Sequence, residues 1–391
     1  MRESALHAHR LLLRIGLAIA HAFAWVFVFE YFYLLSGDMA RALAASALLY
    51  ASAQFITLVM TPIAAAHLSR GIRQSLVWGT LAASSAFILL GASLSGQFND
   101  PPFWGIVVFA VLIGFYRALY WVPYKLASTA LQPHQHMRAY LEVLIALMPL
   151  FAGLTAVSMQ FGPVRLLFGA AVLIMLSVVF ALFLPNIRER FSWSYAYTFK
   201  QLWRRKNHGL VLESFLEGIQ GAALFLVWPL AIFLIVEWSY FTLGLVFSIT
   251  LLAILLLRRL YRYLHTSFNL GSSATVHTLL VASGWVARLA AGTPVGIVIA
   301  DVYSYTTLPE RGVLADPFTF EHASDRGAFI DEYTVLKEIA LAAGRIMLCV
   351  LVFSLSFAFD IAIVFAAALL IAAVASGISA LIAQRTSIAT Y

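Results

Sequence analysis

Apolar windows of about twenty residues recur along the whole of this chain, and no other feature restricts its fold as strongly. A helix needs roughly that length to cross the hydrocarbon core of a bilayer, and only a helix or a closed barrel satisfies its backbone there. Twelve such windows can be read, at 11–36, 40–66, 75–96, 103–127, 138–160, 163–184, 209–235, 239–257, 273–291, 293–308, 332–356 and 358–384. With 62% hydrophobic and 11% charged residues, the chain has too little polar surface to coat an apolar core in water. The expectation is an all-α membrane protein with twelve transmembrane helices.

Basic residues orient the spans, because short cytoplasmic loops carry an excess of Lys and Arg. With the N-terminus inside, twenty of the 25 basic residues fall in or beside inner segments. Arg41 and Arg165 lie in outer ones, and Arg117, Arg288 and Arg345 stay within spans. Both termini are then cytoplasmic, and the net charge of +7 is topogenic and calls for no nucleic acid. The segment PNIRERFSWSYAYTFKQLWRRKNHG, 185–209, is basic and aromatic and predicts a surface helix at the headgroups. It divides the chain into six spans at 1–184, a cytoplasmic linker at 185–208, and six spans at 209–391. Arg138 and Arg326, each ahead of a span, are 188 residues apart, as a duplicated six-helix unit requires.

Several other readings fail. Arg2 and Arg10 precede AHA and AFA, which look like signal-peptide cleavage sites, but Arg14 interrupts the apolar run and hydrophobicity continues to Leu35. The lone Cys349 allows no disulfide within one chain. His134 and His136 lie two apart in a loop with no third ligand nearby, a poor metal site, and there is no phosphate-binding loop for ATP. Neither an enzyme nor a cofactor is expected.

Charges inside spans cost about 2.5–3.5 kcal/mol each unless they face protein or water. In the fourth window Arg117, Tyr120, Trp121 and Tyr124 share one face, which could bind an anion or carbonyl against aromatic rings; equally, Arg117 could hold two helices together through a carboxylate. Glu213, Glu217 and Gln220 share a face of the seventh, with Glu213 solvated or part of an inner gate and Glu217 a candidate for carrying a proton. Asp301, with Tyr305 one turn on, lies near the centre of the tenth window. In the eleventh, Asp331, Glu338 and Arg345 recur every seven residues and form a charged stripe with Thr334. Asp301 could pair with Arg345, as a structural tie or as partners exchanged during a cycle. His21 and Glu30, nine residues apart, point to opposite sides of one helix; Glu30, with Tyr33 one turn on, is favoured as the cavity residue and His21 as an interhelical hydrogen-bond partner. Gln54, Thr57 and Thr61 read as a packing face. The segment 309–333 could form a short gate helix leading into the eleventh span.

Twelve spans, inner termini and a central linker between similar halves resemble the major facilitator superfamily of secondary transporters. The stretches RALYWVPYK (117–125), RFSWSYAYTF (190–199) and DEYTVLKEIALAAGR (331–345) resemble a bacterial branch of it. The resemblance implies a cavity lined by the first, fourth, seventh and tenth helices, where Arg117, Glu217 and Asp301 could meet. AHLSRGIRQS keeps Gly71 and Arg73 of the superfamily's loop between helices two and three but lacks its aspartate, and the charged stripe is a candidate replacement. MPLFAG, with Pro149 and Gly153, is similar to an element of the superfamily's exporters. The resulting expectation is proton-coupled export of an amphiphilic or aromatic small solute across the cell membrane by alternating access. A lipid translocase on the same scaffold, or a non-transporting sensor or assembly subunit docking through the linker, are the alternatives.

Overall fold

The computed structural model describes residues 2–95, 103–131, 139–157, 162–268, 274–306 and 330–388. Among these there is no strand. The first six long helices are α1 (Arg2–Ser36), α2 (Met39–Ala66), α3 (Ile72–Leu94), α4 (Phe103–Leu131), α5 (Ala139–Val157) and α6 (Gly162–Leu182). A short α7 (Tyr195–Leu202) follows, and then α8 (His208–Ala222), α9 (Trp228–Ile235), α10 (Tyr240–Phe268), α11 (Ala274–Leu289), α12 (Pro294–Thr306), α13 (Ile330–Leu355) and α14 (Ile361–Ile388). Every one of the twelve apolar windows holds a helix. Among the described residues ten helical stretches are long and apolar enough to cross a membrane, and Thr278–Leu289 and Pro294–Tyr305 are shorter apolar helices. This is a multi-pass membrane protein.

The first helix starts well before the apolar window. Residues ahead of Leu11 stay helical because Ala5, Leu6 and His9 are buried, and the His9 ring nitrogen Nδ1 meets the Ser177 carbonyl of α6 at 2.9 Å. Within the linker segment a short helix forms: the Ser194 hydroxyl accepts from Tyr197 N at the start of α7, as an N-cap does.

Helices α1 to α6 pack chiefly on one another, through the pairs α3 with α4, α1 with α6, α3 with α6 and α2 with α4. Helices α8 to α14 do likewise, through α8 with α13, α11 with α14 and α10 with α12. Two seams join these groups, α2 against α13 and α5 against α10. At the second seam the backbones nearly touch: a Cβ on Gly244 would lie 2.2 Å from the Pro149 carbonyl oxygen, and one on Gly153 would lie 2.5 Å from that of Tyr240. Small residues permit such approach where lipid supplies no hydrophobic drive between helices. Pro149 disturbs the backbone bonding of α5, and the amide of Leu150 donates across the seam to the Ser248 hydroxyl at 2.9 Å. The MPLFAG element thus forms the α5–α10 crossing.

The α8–α9 span is broken by a π-turn at Ala223–Val227. Pro229 explains it. Proline has no N–H to give back to the preceding turn and its ring crowds the carbonyl four residues earlier; a wider turn removes the clash without abandoning the helix. The break carries Leu224, Phe225, Trp228 and Pro229 onto the wall of a central cavity.

Candidate functional site

The cavity lies between the two helical groups and encloses about 1120 Å³ of empty space, counting the part open to its surroundings. Helices α1, α5, α9, α10 and α12 contribute to its wall, as does the π-turn. Most of the lining is apolar, including Leu17, Ile145, Phe225, Trp228, Phe247 and Leu251. Its ionisable side chains are few: Arg14 and His21 from α1, Glu142 from α5, and Asp301 and Tyr305 from α12. A concave apolar wall with a few convergent polar groups suits a small amphiphilic ligand.

Asp301 is the buried acid of this wall. Arg288 of α11 donates from Nε to its Oδ1 at 2.7 Å, and the Trp228 indole N–H reaches Oδ1 and Oδ2 at 3.0 and 3.1 Å. The guanidinium of Arg288 lies 4.4 Å from the ring centre of Trp285 and 5.7 Å from that of Trp228. Charge-assisted hydrogen bonds and cation–π contacts together offset the cost of placing the pair in an apolar interior. The register of the α11–α12 hairpin brings the two residues face to face: a Cβ on Gly284 would lie 2.8 Å from the Ser304 Cα, which sets Arg288, one turn on, opposite Asp301.

The expected pairing of Asp301 with Arg345 is therefore replaced by Asp301 with Arg288. The reason is packing. Helix α12 lies against α10 and α11, whereas α13 lies against α2 and α8, so equal depth in the sequence did not mean proximity. Arg345 instead donates from Nη1 to Gln54 Oε1 of α2 at 3.3 Å.

The expected convergence of Arg117, Glu217 and Asp301 is also corrected, since only Asp301 lines the cavity. Glu217 is buried on the α13 side of α8, where its Oε2 stands 3.4 Å from Lys337 Nζ. Gln220 is buried one turn on and donates to the Leu216 carbonyl. Glu213 is half-buried. On α13 Asp331, Glu332, Lys337, Glu338 and Arg345 are all buried, so the charged stripe is a packing face rather than a solvated one. Glu332 at its first turn accepts from both the amide and the hydroxyl of Ser192 at 3.2 and 2.5 Å, tying the linker to α13.

The aromatic face of α4 packs inward on α1. Tyr120 stacks on Tyr124 with centroids 5.4 Å apart, the His9 ring is 5.8 Å from Tyr120, and the Arg10 guanidinium is 5.7 Å from Tyr124. Arg117 and Trp121 are buried with them. Neither set lines the cavity.

On α1 the geometry that separates His21 from Glu30 holds, with the roles exchanged. His21 faces the cavity, its ring 5.8 Å edge-on from Phe225. Glu30 accepts a hydrogen bond from the Tyr240 hydroxyl of α10, within an aromatic cluster. Tyr240 stacks on Phe233 at 5.2 Å and meets Phe27 at 5.4 Å; Trp238 lies against Tyr33 at 4.8 Å and Phe29 at 5.9 Å. The α9–α10 turn holds Trp238 there with both Glu237 and Trp238 at positive φ, 54° and 62°, a conformation that costs about 1–2 kcal/mol for a residue with a Cβ. The cluster gathers the C-terminal part of α1 with the α9–α10 turn, away from Arg14 in the N-terminal half of α1.

Replacing Tyr240 by Phe keeps the rings and removes the bond to Glu30. Hydrogen bonds to charged groups contribute about 1.5–3 kcal/mol, so Tyr240→Phe is expected to favour loosening of this cluster by about tenfold to a hundredfold. The check is labelling of a cysteine placed at Tyr33 by an impermeant thiol reagent, in a Cys349→Ser background. Unchanged labelling would mean that the bond does not hold the cluster shut.

Arg14 and Glu142 escaped the sequence reading because each lies near the end of a window, where charge reads as topogenic. His134, His136, Arg138, Arg326 and the segment 309–329 lie outside the described residues. No cluster of three or more metal-ligating side chains occurs among the described residues.

Solved structures of other proteins share this fold. A POT family transporter in complex with a thioalcohol-conjugated peptide aligns over 98% of this chain and 96% of its own, with a TM-score of 0.65 at 13% identity. A D-xylose–proton symporter aligns over 95% and 96%, with a TM-score of 0.64 at 13% identity. A bacterial homologue of the iron transporter ferroportin in its inward-facing state covers 97% and 98%, with a TM-score of 0.60 at 15% identity. The chain has the major facilitator fold. No protein-family model matches the chain, and no curated protein matches it in sequence. At such identities the likeness is one of fold alone.

Proposed function

We propose that the chain is a proton-coupled secondary transporter working by alternating access around the central cavity. The observation that carries this reading is the buried Asp301–Arg288–Trp228 cluster on the wall of an apolar cavity between two helical groups. A carboxylate placed where both sides of a membrane can reach it in turn, with a cation that can take or release it, is the minimum equipment for coupling proton movement to a cycle. One of the solved structures of the same fold is a proton symporter by name, which supports the same chemistry here.

In this proposal α11 and α12 span with the ten long helices, giving twelve spans in two bundles at 1–184 and 209–391. The 185–208 linker and both termini are cytoplasmic, and the protein sits in the cell membrane. The cavity then extends toward the cytoplasmic ends of α1, α5, α10 and α12, with the outer end closed by the Glu30–Tyr240 aromatic cluster. The α2–α13 and α5–α10 seams are the surfaces on which the bundles rock. Asp301 carries the proton, with Arg288 as its exchange partner, while Glu217 with Lys337 ties α8 to α13. Export of an amphiphilic or aromatic small solute fits the apolar lining and the MPLFAG element at the pivot.

Thermal unfolding of the detergent-purified protein against metabolites, lipids and drugs at two pH values tests this, because a ligand of the folded state raises apparent stability. The expected result is stabilisation by one class of small amphiphile, dependent on pH and lost on replacing Phe225 or Phe247 by Ala. Response to lipids alone would favour a translocase, and silence across all classes would contradict a solute carrier.

A further inference from the structure

A second polar site lies behind His21, between α1, α2, α4 and α13, and it is built almost entirely of donors. Three buried groups there have no hydrogen-bond partner: the Trp25 indole N–H, the Tyr50 hydroxyl and the Gln54 side-chain amide nitrogen. All three residues are at most 1% exposed. Trp25 and Tyr50 touch, with ring centroids 4.9 Å apart, and Gln54 follows Tyr50 by one turn on the same face of α2. Gln54 Oε1 is occupied by Arg345 Nη1 at 3.3 Å, and the Tyr50 hydroxyl, which can accept one bond, leaves the set with more donors than acceptors. Arg117 and Arg345, from opposite helical groups, both bear electrostatically on Tyr50 and on His21.

Buried donors without acceptors are rare in folded proteins, and water donates as much as it accepts. A species that only accepts fits the set better. An anion would receive the N–H of Trp25, the O–H of Tyr50 and the amide of Gln54, in the combined field of two guanidinium groups.

We propose that Trp25, Tyr50, Gln54, Arg117 and Arg345 form an internal site for a small anion or an anionic group. Because Arg345 comes from α13 and the other four from α1, α2 and α4, an anion there ties the two groups together at the α2–α13 seam. Resting on the transport reading, and with His21 as the boundary to the cavity, the site assigns the cargo an acidic group. Without that reading, the same site holds an inorganic anion.

The test is thermal unfolding of the full chain in detergent with sodium nitrate, chloride, phosphate or benzoate, against sodium gluconate at equal ionic strength. At least one of these anions is expected to raise the apparent Tm saturably. In Tyr50→Phe, which deletes one oxygen, and in Tyr50→Phe with Gln54→Leu, the half-saturating concentration should rise by about tenfold or more. Size-exclusion profiles establish that the variants fold, and the single change serves if the double one does not. Stabilisation by benzoate but not benzamide assigns the site to a carboxylate-bearing cargo; stabilisation by nitrate or chloride alone assigns it to an inorganic anion. No anion surpassing gluconate, or an equal response in Tyr50→Phe, overturns the proposal and leaves the donors to water. Neither readout involves flux, so failure of the anion site and failure of the transport reading are separable.

Discussion

Asp301→Asn abolishes proton-driven flux while leaving the protein folded: that is the expected result, and it follows from what the amide keeps and loses. Asparagine fills the same volume and still accepts from Trp228 Nε1, which now reaches the carboxylate at 3.0 and 3.1 Å. It cannot carry a proton, and it leaves the Arg288 guanidinium, which donates to the carboxylate at 2.7 Å, as a buried cation facing a neutral oxygen. Removing one partner of a buried ion pair costs about 3–5 kcal/mol, and because the amide oxygen still accepts from both donors a stability loss of about 3 kcal/mol, at the low end of that range, is expected. Arg288 retains the faces of Trp228 and Trp285. In proteoliposomes the variant should still exchange solute down a gradient while no longer responding to a pH gradient. If coupled flux persists with its pH dependence intact, Asp301 is not the proton carrier.

The second large effect is expected at Glu217 and Lys337, and it is one of stability. Their charged atoms stand 3.4 Å apart with both side chains at least nine-tenths buried. Removing one partner of such a pair leaves an uncompensated buried charge and costs about 3–5 kcal/mol. Lys337→Met alone is therefore expected to unfold at a markedly lower temperature. Replacing both, as Glu217→Gln with Lys337→Met, should recover most of the loss, because a buried ion pair exchanged for neutral groups of similar volume is often close to neutral. Melting of the single and double variants in one detergent checks this, and flux in the double variant separates two roles for Glu217. A folded double variant with normal pH-driven flux makes the pair an α8–α13 tie. A folded one without it makes Glu217 part of the coupling machinery.

The helices were legible because their cause is local: each apolar window satisfies its own backbone, and loop charge marks its ends. Where the reading went astray, the missing information was rotational or tertiary. His21 and Glu30 were correctly set on opposite faces of α1, but nothing in the chain states which face meets α9 and α10. The period of Arg117, Tyr120, Trp121 and Tyr124 revealed a polar-aromatic face, yet that face packs on His9 and Arg10 of α1.

Asp301 shows the same limit. The sequence places both Arg288 and Arg345 within spans, and the choice between them rests on the contact of Gly284 with Ser304. A signal was available, since Arg288 and Asp301 sit thirteen residues apart across one short helical turn, a spacing that an αα-hairpin can bring face to face. The π-turn ahead of Pro229 was less accessible. A proline inside a span announces a disturbed backbone but not that the helix will widen to keep its course.

The central claim is that solute movement through the cavity is tied to protonation at Asp301. It is tested most directly by proton flux into proteoliposomes, read with an entrapped pH dye when a solute from the stabilising class is added. The account predicts solute-evoked proton movement in the native chain and none in Asp301→Asn, with solute exchange retained in both. Exchange without proton movement in the native chain, or equal proton movement in Asp301→Asn, would contradict it.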